Sequence, residues 1–327
     1  MVFHVVFNSL FVFIVLSLFV ELFLFLFHIK NARLRTICRY FPIFKLPFDL
    51  AVFSLFGESL FVNLNPFSCE LFFQSFIGKV FHIDSAMTQI VPTQYLAGKI
   101  PTWITLGLSA LCLGIIGRKI YLLVVSNLYL RNILASSTPC PRAITNDPLK
   151  DKLTALRVSL SISPDSVVPF AAHRSTIIFP QSLYTHYSQE EFEAIVAHEL
   201  EHLRWNDPLL KMVNRITFAL FWWVPSEWWI RRLEADQERA SDLAIHRYGI
   251  EPHNLASAFI KTAKQAKGMK LQMTAALCPF AGRNSNYAIR IENILSSGST
   301  VRSPFIPLKF TLGIGLCLLS FLSLWIC

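Results

Sequence analysis

A chain of 327 residues in which 53% are hydrophobic and only 16% charged carries more apolar side chain than a soluble fold of that length usually buries. A net charge of +9 signals nucleic acid only where basic and aromatic residues interleave on a folded face; here Lys and Arg flank apolar runs, so direct nucleic-acid binding is not expected and membrane topology is the better explanation. The seven cysteines include no CxxC pair, and Cys112 and Cys317 sit inside apolar runs, which argues against a disulfide framework; nothing beside Cys38, Cys140 or Cys278 marks a reactive thiol.

The first apolar run, Val2 to Phe27, lacks the basic leader and small-residue cleavage site of a signal peptide and is too long for its core, so it reads as a retained transmembrane helix. Further spans read at about 43–62, 102–125 and 308–326, each able to cover the roughly 30 Å of bilayer hydrocarbon as a helix. Pro42 and Pro47 blur the start of the second, apolar residues continue to Ile83, and an extra interfacial helix at Leu71 to Phe81 is a further reading of that stretch. Lys30, Arg33, Arg35, Arg39 and Lys45 follow the first span, and Arg118, Lys119 and Arg131 gather around the end of the third. The positive-inside rule places both clusters in the cytoplasm and puts the N-terminus, the loop at about 63–101 and the C-terminus outside. The expected organisation is an N-terminal membrane region over 1–130, a cytoplasmic domain over 131–307 and a last transmembrane helix over 308–327, within a predominantly α membrane protein of about four transmembrane helices.

Inside the cytoplasmic segment, Asp147-Pro148 reads as an N-cap followed by proline at the first helical position, opening a helix to about Arg157. Val158, Leu160 and Ile162 alternate with serines, and the runs Ser166 to Ala172 and Thr176 to Phe179 join at His173-Arg174, which predicts a small sheet. Ser188-Gln189-Glu190-Glu191 fits a capping box, and Phe192, Ile195, Val196, Leu200 and Leu203 follow at helical spacing. Asp207-Pro208 then caps the next helix.

On the capped helix stands His198-Glu199-Leu200-Glu201-His202. Histidines four residues apart project from one face and can share a metal, with Glu199 beside an open coordination position. A hydrolytic zinc needs a third protein ligand, and a second predicted helix within Trp229 to Gly249 offers Glu234, Glu238 and Asp242 on one face. Spacing alone leaves either glutamate able to approach the metal while the next carboxylate orients a histidine. One further segment is ambiguous. Leu209 to Ile230, with Phe221, Trp222, Trp223, Trp228 and Trp229 beside Pro225 and with Lys211, Asn214 and Arg215 on a polar side, suits either the headgroup interface or a buried hairpin between the metal helices. Asp207 is accounted for by its cap.

The stretch from about Val167 to Leu243 resembles the BlaR/MecR-type membrane metallopeptidases in several ordered motifs: PFAAHRSTIIFPQSL, the HELEH helix, RWNDPLL, the Trp-Trp-x-Pro segment and ERASD. The resemblance implies an α+β gluzincin-like domain holding one catalytic Zn2+, with His198, His202 and Glu238 as ligands. It makes Asp242 the acceptor for the far nitrogen of His198 and leaves Glu234 structural. The implied chemistry is peptide hydrolysis, with Glu199 taking a proton from the attacking water and returning it to the departing amine. His246, Tyr248 and His253 are candidate oxyanion donors. Thr176 to Phe179 is either an edge strand that receives an extended substrate, as in such peptidases, or a plain core strand.

Antibiotic-sensing relatives carry an outward penicillin-binding domain with a Ser-x-x-Lys nucleophile, and this sequence contains no such tetrad. The reading that results is a signalling or regulatory zinc endopeptidase of the bacterial inner membrane. Its partners would be a protein or peptide substrate (a transcriptional repressor or the chain itself), the lipid bilayer and a separate sensor. The alternatives are a quality-control protease of the Ste24/HtpX type and a non-catalytic zinc-bound scaffold, which would need metal ligands but no Glu199.

Overall fold

Helices dominate the computed structural model, which describes residues 2–56, 102–172, 175–268 and 287–296. The loop at 63–101, the alternative helix at Leu71 to Phe81, the end of the second span, the junction His173-Arg174, the fourth span with its segment 308–327, Cys278 and Cys317 lie outside those residues.

The chain opens with α1 (Val2–Leu26) and α2 (Ala32–Phe56), joined by a turn in which His28 takes a left-handed backbone (φ 48). Asn31 starts α2 by accepting from the backbone N–H groups of Arg33 and Leu34 at 3.0 and 3.2 Å, which satisfies donors that a helix start leaves open. The second span is thus not a separate element beginning near 43: its described part is the latter half of α2, with Pro42 and Pro47 inside the helix. Next comes α3 (Thr102–Ala135), which continues past the boundary expected at 130. Among the described residues, two stretches are long and apolar enough to cross a membrane, Ser9–Leu26 in α1 and Ala110–Ala135 in α3.

A small sheet follows, built from β1 (Thr138–Pro139), β2 (Ser159–Ser163), β3 (Phe170–Ala172) and β4 (Thr176–Pro180), with α4 (Asp147–Ala155) between β1 and β2. Its order is β1-β2-β4-β3, with β2 and β4 parallel and the outer pairs antiparallel. β4 is therefore an inner strand, and β3 holds the edge. The alternation of a strand, with both faces covered, explains why β4 is apolar from Ile177 onward. Ile177 and Phe179 join the core beneath the catalytic-motif helix, while Ile178 packs with Phe170 against Leu130 and Ile133 of α3. The helix α4 is capped by Asn146, whose side chain accepts from Leu149 N at 3.0 Å, one residue before the expected Asp147.

The remaining elements are α5 (Gln181–Tyr184), α6 (Gln189–Arg204), α7 (Asp207–Leu220), α8 (Glu227–Ala244), a 3-10 turn (Ile245–Tyr248), α9 (Pro252–Gly268) and α10 (Tyr287–Ser296). Ser188 caps α6 in the expected box, with Glu191 reaching back to Ser188 N at 2.8 Å. Glu191 also receives Ser257 and Lys261 of α9 at 2.5 and 2.6 Å, so the cap also fastens α9 beside α6.

The aromatic segment settles against the N-terminal helices. Phe218, Phe221, Val224, Trp229 and Leu233 share one core with Phe13, Val20, Phe23, Tyr40 and Ile43, whereas Leu220 and Trp228 stay exposed. Lys211 and Asn214, expected on a polar side, are buried. Charges lock the same interface. Arg39, 2% exposed, lies between Glu21 of α1 and Asp236 of α8, and its backbone carbonyl accepts from Trp229 Nε1 at 2.9 Å. Arg35 adds a contact to Asp236 at 3.1 Å.

Removing one partner of a buried pair leaves an uncompensated charge, whereas a pair near the surface contributes little. Asp236→Ala is expected to destabilise the chain by about 3 kcal/mol, and Arg35→Met by less than about 1 kcal/mol, in denaturant titrations in detergent micelles. Equal effects of the two changes would show that the buried Arg39 does not depend on Asp236.

Candidate metal centre

The apolar positions of α6 face the sheet and α9, and the helix turns His198 and His202 toward α8, where they are buried. Their Nε2 atoms lie 3.3 Å apart, with the rings nearly perpendicular at 85°. From α8, Glu238 brings Oε2 to 3.6 Å from His198 Nε2 and Oε1 to 3.7 Å from His202 Nε2. Among the described residues these three side chains form the group close enough to hold a metal, with ligand atoms within 4.8 Å of one another.

The donor set fits a tetrahedral ion. Bonds of 2.0–2.1 Å to a tetrahedral zinc separate neighbouring ligand atoms by about 3.3–3.4 Å, close to the spacings seen. Carboxylates face the far ring nitrogens from outside, as a ligating imidazole requires. His198 Nδ1 faces Asp242 Oδ1 at 3.1 Å, and His202 Nδ1 meets Asp207 Oδ2 at 2.7 Å and Ser241 Oγ at 3.3 Å. A carboxylate at Nδ1 draws the proton to that nitrogen and leaves the Nε2 lone pairs for a cation.

Asp207 is not the cap expected from its place in the sequence but the first residue of α7. Asn206 occupies the cap position of α7 in a left-handed conformation (φ 54) without a side-chain bond, and the Asp207 carboxylate, 1% exposed, turns to His202. It also accepts from Gln237 Nε2 at 3.0 Å and from Arg33 Nη1 at 3.0 Å.

Arg290 of α10 completes the other side. Its Nη1 lies 3.0 Å from Glu238 Oε2; its Nη2 and Nε donate to the two oxygens of Asp242 at 2.6 and 3.1 Å; and its Nη2 stands 3.5 Å from His198 Nε2. The guanidinium stacks over Phe259 at 4.3 Å. Lys211 Nζ approaches Glu238 Oε1 at 3.7 Å.

These cations decide the protonation of the acids. Burial would raise the Glu238 carboxyl, but the charges of Arg290 and His202 outweigh it and hold it well below the usual range. Asp242 is lowered in the same way by Arg290 and His198, and Asp207 by His202 and Arg33, each against the upward effect of burial. Burial alone would lower the His202 imidazole, yet Glu238 and Asp207 push it up to about 9. His198 is also raised, because its contacts with Asp242 and Glu238 overcome burial.

Glu199 is buried at the edge of the sheet, where its Oε2 accepts from the backbone N–H of Ala171 in β3 at 2.8 Å. The candidate oxyanion donors are elsewhere. His253 is exposed and paired with Glu251 at 3.1 Å. Tyr248 packs in the core beside Leu149 and Ile250, with Glu201, Arg204 and Arg247 as its charged neighbours. His246, half-buried in the 3-10 turn, has no contact with the metal group among the described residues. Arg290, the cation nearer to Glu238, has one sequence signal: it lies four residues before buried Ile294, on the apolar face of its own helix.

A family model described as BlaR1 peptidase M56 matches residues 79–294. None of the curated proteins matches the chain. The matched segment contains α6 and α8, with all the residues of the His-His-Glu group, and α10 as far as Ile294, and the chain belongs to the BlaR1 peptidase M56 family of metallopeptidases.

Proposed function

We propose that the chain is a membrane-embedded zinc endopeptidase acting in regulated proteolysis. The observation that carries this reading is the pair of buried imidazoles whose Nε2 atoms converge with Glu238 while Asp242 and Asp207 hold their far sides. His198, His202 and Glu238 would be the ligands of one Zn2+, with Asp242 and Asp207 fixing the histidines. When bound, the ion would supply a Lewis acid that polarises the scissile carbonyl and acidifies water.

Glu199 then serves as general base. Its carboxylate takes a proton from the attacking water and gives it to the departing amine. The Ala171 N–H engages one carboxylate oxygen and so fixes the plane of the base. In an antiparallel ladder the N–H and C=O of one residue point to the same side, and the Ala171 N–H points away from β4 toward Glu199. The Ala171 carbonyl shares that direction, which makes β3, rather than Thr176 to Phe179, the strand on which an extended peptide would pair. Its register would then be set against Glu199 itself. Arg290 neutralises Glu238 and Asp242 together and holds them at the site.

The candidate spans in α1 and α3 support a membrane protein; the apolar runs at about 43–62 and 308–326 would bring it to about four transmembrane helices, and the basic residues beside the first and third would put the 131–307 domain on the cytoplasmic side of a bacterial inner membrane. A substrate there is a cytoplasmic regulator or the chain itself, with a separate protein as sensor.

Three outcomes test this. Glu199→Gln should keep bound zinc while cleavage of a crosslinked native partner falls by about 10²- to 10⁴-fold; unchanged cleavage would favour a scaffold. Glu238→Ala should lose zinc in elemental analysis while Glu234→Ala retains it, and the reverse would move the third ligand. In chelator-stripped protein both imidazoles carry raised pKa values, so incoming metal must displace their protons. Zinc affinity should therefore climb from pH 6.5 to about 9, with proton release in calorimetry; a flat profile would contradict histidine ligation.

A further inference from the structure

Arg33 belongs to the first turn of α2, far in sequence from the metal helices, yet its side chain is buried among them. Nη1 contacts both Asp207 oxygens at 3.0 and 3.3 Å, and Nη2 donates to Ser241 Oγ at 3.0 Å and lies 3.5 Å from the Glu201 carbonyl. Trp205 stacks against it at 5.1 Å. Asp207 Oδ2 and Ser241 Oγ are the groups that meet His202 Nδ1. A second route runs from α2 to the same carboxylate: Gln237 donates to Tyr40 Oη at 3.1 Å and to Asp207 Oδ1 at 3.0 Å.

We infer that Arg33 is a positioning residue for the metal centre, clamping Asp207 and Ser241 around His202 so that docking of the N-terminal helices completes the site. The inference rests on the reading of His198, His202 and Glu238 as metal ligands. Its physical basis is geometric. An arginine fork satisfies a carboxylate and a hydroxyl at once in a fixed plane, and outer contacts of this kind set the orientation of a ligating imidazole. Arg33 and Arg35 start the same helix, but Arg35 goes to Asp236 and, among the described residues, touches nothing that touches His202, so the two separate helix docking from metal positioning.

The test uses the full chain in detergent micelles, with zinc as the probe and a chromophoric chelator as competitor. Arg33→Met is expected to weaken zinc binding by about 10- to 100-fold, and Arg35→Met to leave it at the wild-type value. Asp207→Asn should cause a loss of similar size, and adding Arg33→Met to it should cost less than the two single losses combined, because both disrupt the Arg33–Asp207 contact and only the Ser241 contact is left for the second change to remove. Arg33→Lys, which keeps the charge but cannot span both partners, should fall between wild type and Arg33→Met, and it carries the test if the methionine variant does not fold. Wild-type affinity in Arg33→Met or, if that variant does not fold, in Arg33→Lys; equal losses in Arg33→Met and Arg35→Met; or additive losses in the double variant would each overturn the inference. Glu238→Ala, measured alongside, distinguishes a failure of the inference from a failure of the site: if it retains zinc, the ligand assignment itself is wrong.

Discussion

Two imidazole nitrogens held 3.3 Å apart inside a protein repel when both carry protons and lack donors when neither does. The arrangement persists because carboxylates stand behind each ring and a third lies between them. Asp242 and Asp207 face the outer nitrogens, Glu238 faces the inner ones, and every one of these carboxylates meets an arginine. Arg290 serves Glu238 and Asp242; Arg33 serves Asp207. Buried charge is tolerated only in such paired form, so the position of every helix that supplies a partner is tied to the two rings.

That requirement explains how the fold is assembled around α6 and α8. The capping box begins α6 and also receives α9, whose Phe259 supports Arg290. The N-terminal helices bury apolar side chains against Phe218, Phe221 and Trp229, but their arginines make the contact specific, with Arg39 between Glu21 and Asp236 and Arg33 beside Asp207. α3 reaches the opposite face of the sheet through Leu130 and Ile133. The peptidase segment is therefore packed directly on helices that contain the candidate membrane spans.

Basic residues after the first span carry two kinds of information that a linear reading merges. Their number is a topology signal because lysine and arginine are costly to move across a bilayer. Their individual partners depend on side chains roughly two hundred positions away, and nothing local distinguishes Arg33 from Arg35. The same limit applies to Asp207, whose place at the start of a helix explains it adequately until a buried imidazole is found against its carboxylate.

The amino-acid order by itself determined what is periodic or local: the apolar runs, the capped helix, the paired histidines with Glu199, and the carboxylate stripe of the second helix. These follow from repeats of side-chain direction along one element, which the chain cannot alter without changing its composition. The choice of Glu238 over Glu234 rested on resemblance, and the tertiary structure places Glu238 against both rings. Only that structure decided that β3 rather than β4 is the sheet edge, that Asp207 turns to His202, and that Arg290 and Arg33 enter from opposite ends of the chain. Those are contacts between elements, set by how helices and strands pack and by where buried charges find partners, and no spacing along a single strand or helix encodes them.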